Sequence, residues 1–207
     1  MKDATGFAGI SPTTLADVLG REQVMDIGIR PLWQPVPRVA GPAFTVQCQP
    51  ADNLMLHAAI YRAEPGSVVV VQAGDTDYAL AGGNVCAVAQ RQGIAAFVID
   101  GVIRDLAEVR ELGFPVFARG VSPVPGAKTA IAPLNNPVQC GGIAVSAGDI
   151  VVADEEGVVV VPQHRQHDVL AAAEARLRKE AAESLDEWEA AHRALVARLL
   201  HDGGFSD

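Results

Sequence analysis

The chain has 207 residues, 49% of them hydrophobic and 20% charged, with a formal net charge of −9. That is enough apolar material for one folded domain with its own core. The acidic balance argues against nucleic acid or an anionic membrane surface as a partner.

In chain order, Ser11-Pro12-Thr13-Thr14 has the form of a helix start, with Pro in the first turn. This helix is expected to end before a loop at Ile29-Arg30-Pro31-Leu32. Residues 43–48 fit a strand. Asp52 or Asn53 can cap a helix carrying Leu54, Leu56, Ala59 and Ile60. Glu64-Pro65-Gly66 stops it, and Ser67–Gln72 is a β-branched strand. After Gly82-Gly83-Asn84 a helix carries Val85, Val88 and Ala89 inward and ends near Gly93. Ala95–Ile99 is the next buried strand, and a short helix from about Arg104 to Leu112 stops at Gly113.

Pro115–Ala118 fits a strand and Ser122–Asn136 a loop. Val138–Val145, Ile150–Ala153 and Val158–Val161 fit three closely spaced strands. From about His167 the pattern predicts one long helix, so that roughly residues 165–200 form a helical extension of a single domain spanning 1–207. Strand–helix alternation followed by successive strands indicates a mixed β and α domain. No basic-then-apolar leader and no apolar run of membrane-spanning length appears in the sequence, which predicts a cytoplasmic protein with no membrane partner. Cys48, Cys86 and Cys140 lack C-x-x-C spacing and are expected as buried free thiols.

The richest segment is Phe97-Val98-Ile99-Asp100-Gly101-Val102-Ile103-Arg104-Asp105. An apolar run reaches Asp-Gly, and an Arg-Asp pair follows. Asp105 has two readings: a carboxylate favoured by a helix N-terminus, or a ligand for a hard cation. Arg104 is either a solvated surface residue or a fork for a carboxylate. Asp100 is a turn former or an outer partner of the site. Gly82, Gly83, Asn84 and Val85 form a flexible helix start, or offer N–H groups to an anion. His57, in an apolar helix, fits a structural or interface histidine better than a catalytic one. Arg119 and Lys128 are candidates to meet a second carboxylate.

These motifs resemble the family that joins the class II pyruvate aldolases, acting on 4-hydroxy-4-methyl-2-oxoglutarate and 4-carboxy-4-hydroxy-2-oxoadipate, with the regulator of ribonuclease E activity A. The resemblance rests on Gly82-Gly83-Asn84-Val85 followed by Asp100-Gly101-Val102-Ile103-Arg104-Asp105. It extends to Asp52-Asn53-Leu54-Met55-Leu56-His57, to Gly113–Gly120 and to Gly148–Pro162, and covers roughly residues 10 to 180. It implies a swivelling β/β/α sandwich (α/β class) assembled as a homotrimer or hexamer. It also implies that Asp105 ligates Mg²⁺ or Mn²⁺, and that Arg104 and the Gly83–Val85 amides hold the pyruvoyl end of a small 2-oxo acid. The chain departs from the family at Gly83, where an acidic residue often contacts metal-bound water. Aldolase members also complete the metal shell with a Glu from a neighbouring subunit. Glu174, Glu180 and Glu183 are possible counterparts, and no motif selects among them.

Two functions follow. One is a divalent-metal-dependent C–C lyase of 2-oxo acids, by retro-aldol cleavage or oxaloacetate decarboxylation. The other is a non-catalytic regulator that acts by binding a protein. Arg104 and Asp105 favour the first, and Gly83 weakens that preference.

Overall fold

The computed structural model describes residues 4–205. Helix α1 (Pro12–Leu19) starts as its sequence predicts, with Ser11 Oγ accepting the Thr14 N–H at 3.1 Å. The expected loop that follows contains a two-residue strand, β1 (Arg30–Pro31), paired antiparallel with β5 (Val116–Val121). Strand β2 (Val39–Gln47) is longer than the apolar pattern suggested. Its first half, Val39 to Pro42, pairs antiparallel with β8 (Ile150–Asp154), and its second half, Ala43 to Gln47, pairs parallel with β3 (Val68–Gln72). One strand thus joins a parallel block to an antiparallel one.

The full order in the seven-stranded sheet is β1-β5-β4-β3-β2-β8-β9, with β4 at Ala96–Ile103 and β9 at Gly157–Val161. Strands β6 (Val138–Cys140) and β7 (Ile143–Val145) form a separate hairpin about Gly141-Gly142, where one continuous strand was expected. Both glycines have positive φ, 56° and 78°, the backbone such a tight reversal requires.

Side-chain alternation along β3 explains the layering. Val69 and Val71 face a core with Phe97, Ile99, Leu56, Cys86 and Val109. Three helices supply the last three of these: α2 (Leu54–Ala59), α3 (Gly83–Arg91) and α4 (Leu106–Leu112). Val68 and Val70 face the opposite way, against Val98, Phe117, Val151 and Val158. The sheet therefore curls until β8 and β9 cover the second face of β3 and β4, nearly closing a barrel. Burial on both faces is why these strands are continuous apolar runs rather than alternating ones. The outer face of β8 and β9 is covered by α1 and by α5 (Gln166–Ala182), through Leu15, Leu19, Val169 and Ala173. The mixed β and α domain read from the sequence is the one observed.

Two further expectations change. The single long C-terminal helix is two helices, α5 and α6 (Leu185–Asp202). Glu183 is extended, and Ser184 opens α6 with a capping box in which its side chain and backbone exchange hydrogen bonds with Glu187. A cap of that kind satisfies the donors a new helix leaves open, so it starts α6 instead of continuing α5. Strand β4 also does not stop at Asp100-Gly101. It continues to Ile103 through a register shift between Ile99 and Val102. The shift is a bulge, which re-aims the strand without ending it.

Asp100 anchors that bulge. Its carboxylate accepts from Arg119 on β5 and from the Gly141 N–H at 2.9 Å, while Arg119 also pairs with Asp26 at 2.9 Å. The Arg119 guanidinium is the main cause that holds the Asp26 carboxyl below the usual carboxylate range. Arg119→Met leaves both carboxylates without their cation and is expected to lower stability by about 1–3 kcal/mol. Denaturant melts check this; a loss below about 0.3 kcal/mol would show that the network carries no stability.

Candidate active site

The bulge sets where β4 ends. Leu80 donates to the Val102 carbonyl at 3.0 Å and Arg104 donates to the Ala81 carbonyl at 2.9 Å. These bonds dock the segment before α3 onto the tip of β4. The Gly82-Gly83 start of α3 is thereby brought against the Arg104-Asp105 pair.

Asp105 occupies the N-cap position of α4 but makes no side-chain cap there. Its carboxylate turns toward α3 instead. Asp105 Oδ2 accepts the Gly83 N–H at 3.2 Å and lies 3.5 Å from Arg104 Nε. The backbone at Asp105 is left-handed, φ 57° and ψ 39°. Asp tolerates this region better than most residues, but it still costs on the order of 1 kcal/mol or more, and such outliers concentrate at functional sites. A Cβ added to Gly82 would overlap Asp105 Oδ2, and one added to Gly83 would overlap Glu108 Oε2. Two glycines are thus needed for two carboxylates to lie against one helix start.

A pocket of about 70 Å³ opens here. Gly82, Asn84 and Val85 form one wall, and Arg104 and Asp105 another. The Arg104 and Asp105 side chains are 43% and 36% exposed, so both remain open to a ligand. The N–H groups in the first turn of a helix have no acceptor within it. That of Gly83 is taken by Asp105, which leaves those of Asn84 and Val85 for an anion. Gly83 itself faces Glu108 rather than the pocket.

The far wall comes from elements the motif does not contain. His57 and Asn53, from α2 and its N-cap, line it together with Pro125 and Lys128. Pro125 pairs with Ala79, and Asp52 places Lys128. Its carboxylate accepts from the Leu54 N–H at 2.9 Å, the Thr129 N–H at 2.6 Å, the Thr129 hydroxyl at 2.9 Å and the Ala130 N–H at 3.1 Å. Burial works against the Asp52 charge, but these hydrogen bonds together outweigh it and hold its pKa below the usual range. Asp52 thus fastens the 127–130 loop over α2.

The structure brings Gly82, Gly83, Asn84, Val85, Arg104 and Asp105 together. It does not bring Asp100, which faces Arg119 and the β6–β7 turn; nor Arg119, which is spent on Asp26 and Asp100. Of the two candidates for a distal carboxylate, only Lys128 reaches the pocket. His57 lines the pocket, where its apolar helix had favoured a structural or interface role. Its signals in the sequence were its place four residues after Asn53, one turn along the same face, and the Asp52–His57 segment that carries the family resemblance. The thiols are buried and free. Burial pushes Cys48 up to about 11 and Cys86 up to about 12, so neither is a thiolate nucleophile at neutral pH.

Among the described residues no cluster of three or more His, Cys, Asp or Glu side chains could hold a metal ion. That excludes a closed zinc-type site built from described residues. A hard cation is a different case, since Mg²⁺ and Mn²⁺ use one or two carboxylates and otherwise keep water or ligand oxygens. Asp105, pressed into the space a Gly82 side chain would fill and open on the pocket side, fits that minimal donor set.

Residues 12–160 match the RraA-like family, described as Aldolase/RraA. The chain belongs to this family. A Halalkalibacterium halodurans protein named as a candidate 4-hydroxy-4-methyl-2-oxoglutarate aldolase is 37% identical over 200 residues, covering 95% of each chain. Among solved structures, a Streptomyces coelicolor member of the ribonuclease ES inhibitor RraA family superposes with a TM-score of 0.74 at 31% identity, over 86% of this chain and 93% of that one. The RNA-processing inhibitor RraA from Thermus thermophilus superposes at 0.67 with 27% identity, over 73% and 92%. The relatives thus carry both names, aldolase and regulator. No described helix is long and apolar enough to cross a membrane.

Burial first, and the Lys128 ammonium second, push the His57 pKa below the ordinary imidazole value, so His57 is neutral at pH 7. Removing the cation favours the protonated form. Lys128→Met is therefore expected to raise the His57 pKa, and an NMR titration of the ring protons reads it. An unchanged midpoint would place Lys128 away from the pocket.

Proposed function

We propose that the protein is a divalent-metal-dependent C–C lyase of small 2-oxo acids. It cleaves a 4-hydroxy-2-oxo diacid by retro-aldol reaction, or decarboxylates oxaloacetate. The observation that carries this reading is the convergence of Arg104, Asp105 and the open amides of α3 on one small pocket. The aldolase names among the relatives support it.

The Arg104 guanidinium and the Asn84 and Val85 N–H groups hold the substrate carboxylate, and the planar fork also reaches toward the 2-oxo oxygen. Asp105 holds the cation, Mg²⁺ or Mn²⁺. When bound, the cation supplies Lewis-acid polarisation of the 2-oxo group. In the retro-aldol reaction the C3–C4 bond breaks and its electron pair passes toward the 2-oxo oxygen. The C4 hydroxyl loses its proton to become a carbonyl, and C3 gains one to give pyruvate. Decarboxylation of oxaloacetate breaks the corresponding bond and releases CO₂. In both, Arg104 opposes the negative charge that grows on the pyruvoyl oxygens. Lys128 meets the carboxylate at the other end.

The reading extends to a homotrimer or hexamer. The 18 residues of α6 include none that is buried, and Leu185, Trp188, Leu195 and Leu199 recur on it at helical spacing while exposed. Such a face suits a packing partner. The same face favours the second reading, a regulator that acts by binding another protein, in keeping with the inhibitor names among the structural relatives.

Pyruvate release from oxaloacetate separates the two. Activity is expected with Mg²⁺ or Mn²⁺ and to vanish in Asp105→Ala. Arg104→Lys keeps the charge but not the fork, and is expected to lose about 2–4 kcal/mol of transition-state stabilisation, roughly 30- to 1,000-fold in kcat/KM. Full activity after exhaustive chelation, or an Arg104→Lys protein within twofold of wild type, would defeat the lyase reading.

A further inference from the structure

Retro-aldol cleavage makes a demand that decarboxylation does not: the C4 hydroxyl must lose its proton. The carboxylate of oxaloacetate departs as CO₂ without one. A pocket that performs the first reaction therefore needs a base near the end of the ligand away from the pyruvoyl group. Few groups around the pocket qualify. Arg104 and Lys128 are cations without a lone pair, and the amides of Asn53 and Asn84 are not basic. Asp105 is turned to the Gly83 N–H and to Arg104. Asp52, behind the far wall, is spent on four donors. His57 remains.

His57 stands on the far wall beside Lys128, and its ring is half-buried. A hydrogen bond to the Leu80 backbone favours the protonated ring, as a carbonyl acceptor does. That spends one ring N–H, so in the neutral imidazole the other nitrogen carries the lone pair. This nitrogen is not sealed in. Among the described residues, the buried side-chain nitrogens and oxygens without a partner include none from His57. It is therefore accessible, on a ring that lines the pocket. Of the charges around it, Lys128 favours the neutral ring and Asp52 opposes it, while Arg104 and Asp105 lie on the opposite wall. Burial and Lys128 prevail, so the ring meets a substrate as the free base.

We propose that His57 is the catalytic base of the retro-aldol reaction, taking the proton of the C4 hydroxyl onto its free ring nitrogen. This assignment rests on the lyase reading of the same pocket, and deepens it by separating its two reactions. With Lys128 on the distal carboxylate, the neighbouring His57 is level with the adjacent carbon, C4. As the C3–C4 bond breaks, its electron pair enters the pyruvate enolate, C4 becomes a carbonyl and His57 becomes an imidazolium. Delivery of that proton to C3 of the enolate completes pyruvate and restores the neutral ring. Decarboxylation reaches the same enolate without calling on the base, and its C3 proton comes from solvent.

The test compares two reactions of the full-length protein with Mg²⁺: cleavage of 4-hydroxy-2-oxoglutarate, read as glyoxylate, and decarboxylation of oxaloacetate, read as CO₂. Their ratio cancels any loss of folded, metal-loaded protein. In His57→Gln the ratio of cleavage to decarboxylation is expected to fall roughly 100-fold or more. In wild type the neutral ring is the active form. Cleavage kcat/KM is therefore expected to fall in acid through the midpoint of the ring titration read by NMR, and decarboxylation to lack that limb. In Lys128→Met the ring midpoint and the limb are expected to rise together. A merely structural His57 would lower both reactions alike, so a folded His57→Gln protein whose ratio stays within threefold overturns the assignment. A limb that is absent from cleavage, or shared by decarboxylation, overturns it even if His57→Gln does not fold. If wild type carries out neither reaction, the lyase reading falls first and this inference with it. If it decarboxylates without cleaving, or cleaves equally well in His57→Gln, only His57 is misassigned.

Discussion

The hydrogen bond from the Gly83 N–H to Asp105 Oδ2 joins two pieces of chain that the sequence keeps well apart: the start of α3 and the junction of β4 with α4. An Asp at a helix N-cap ordinarily turns back to satisfy its own helix. Here the left-handed backbone of Asp105 aims the carboxylate away from α4 and across to its neighbour. That choice fills the space a Gly82 side chain would take, leaves the next two amides of α3 open, and sets Arg104 beside them. The open helix start beside Arg104 follows from this one contact more than from any single charged residue.

The sheet exists, from this viewpoint, to hold that contact rigidly. Strands β3 and β4 are buried on both faces, and the loops at their C-terminal ends carry the site. In parallel sheets these ends are where ligands bind. The bulge at Asp100-Gly101 lets β4 run on to Ile103, so that Arg104 and Asp105 emerge level with the α3 start. Asp100 serves the site from behind, by locking the bulge to Arg119 and Gly141, and never enters it. On the far wall Asp52 has the matching task, since it pins the loop that brings Lys128 in.

Much of this was legible in the sequence, for identifiable reasons. Apolar runs at 68–71 and 96–99 announce doubly buried strands. Ser11-Pro12 marks a helix start, and Gly113 a helix stop in the left-handed region. The Gly-Gly-Asn and Arg-Asp segments carried the near wall of the pocket. What escaped depends on contacts distant in sequence. The bulge in β4 is set by Arg119, so an Asp-Gly pair mimicked a strand end. Val138–Val145 has the apolar pattern of one strand, and the positive φ of Gly141 and Gly142 that reverses it appears only in the folded chain. The break before α6 did have a local signal, the Ser184…Glu187 capping box, hidden by the uniform Ala- and Glu-rich composition around it. His57 and Asn53 were read as helix residues, and only the docking of α2 against the 79–81 segment reveals them as pocket wall.

If the pocket between α3 and Arg104-Asp105 takes a pyruvoyl group chelated to a divalent cation, as proposed, it also takes an unreactive mimic of that group. Oxalate is a planar, unreactive mimic of the enolate form of pyruvate. Calorimetric titration of oxalate into the protein, with and without Mg²⁺, therefore probes the site apart from turnover. The expected result is saturable binding near one per chain that requires the cation and is lost in Asp105→Asn. Binding of equal strength without Mg²⁺, or no binding in its presence, would contradict the account.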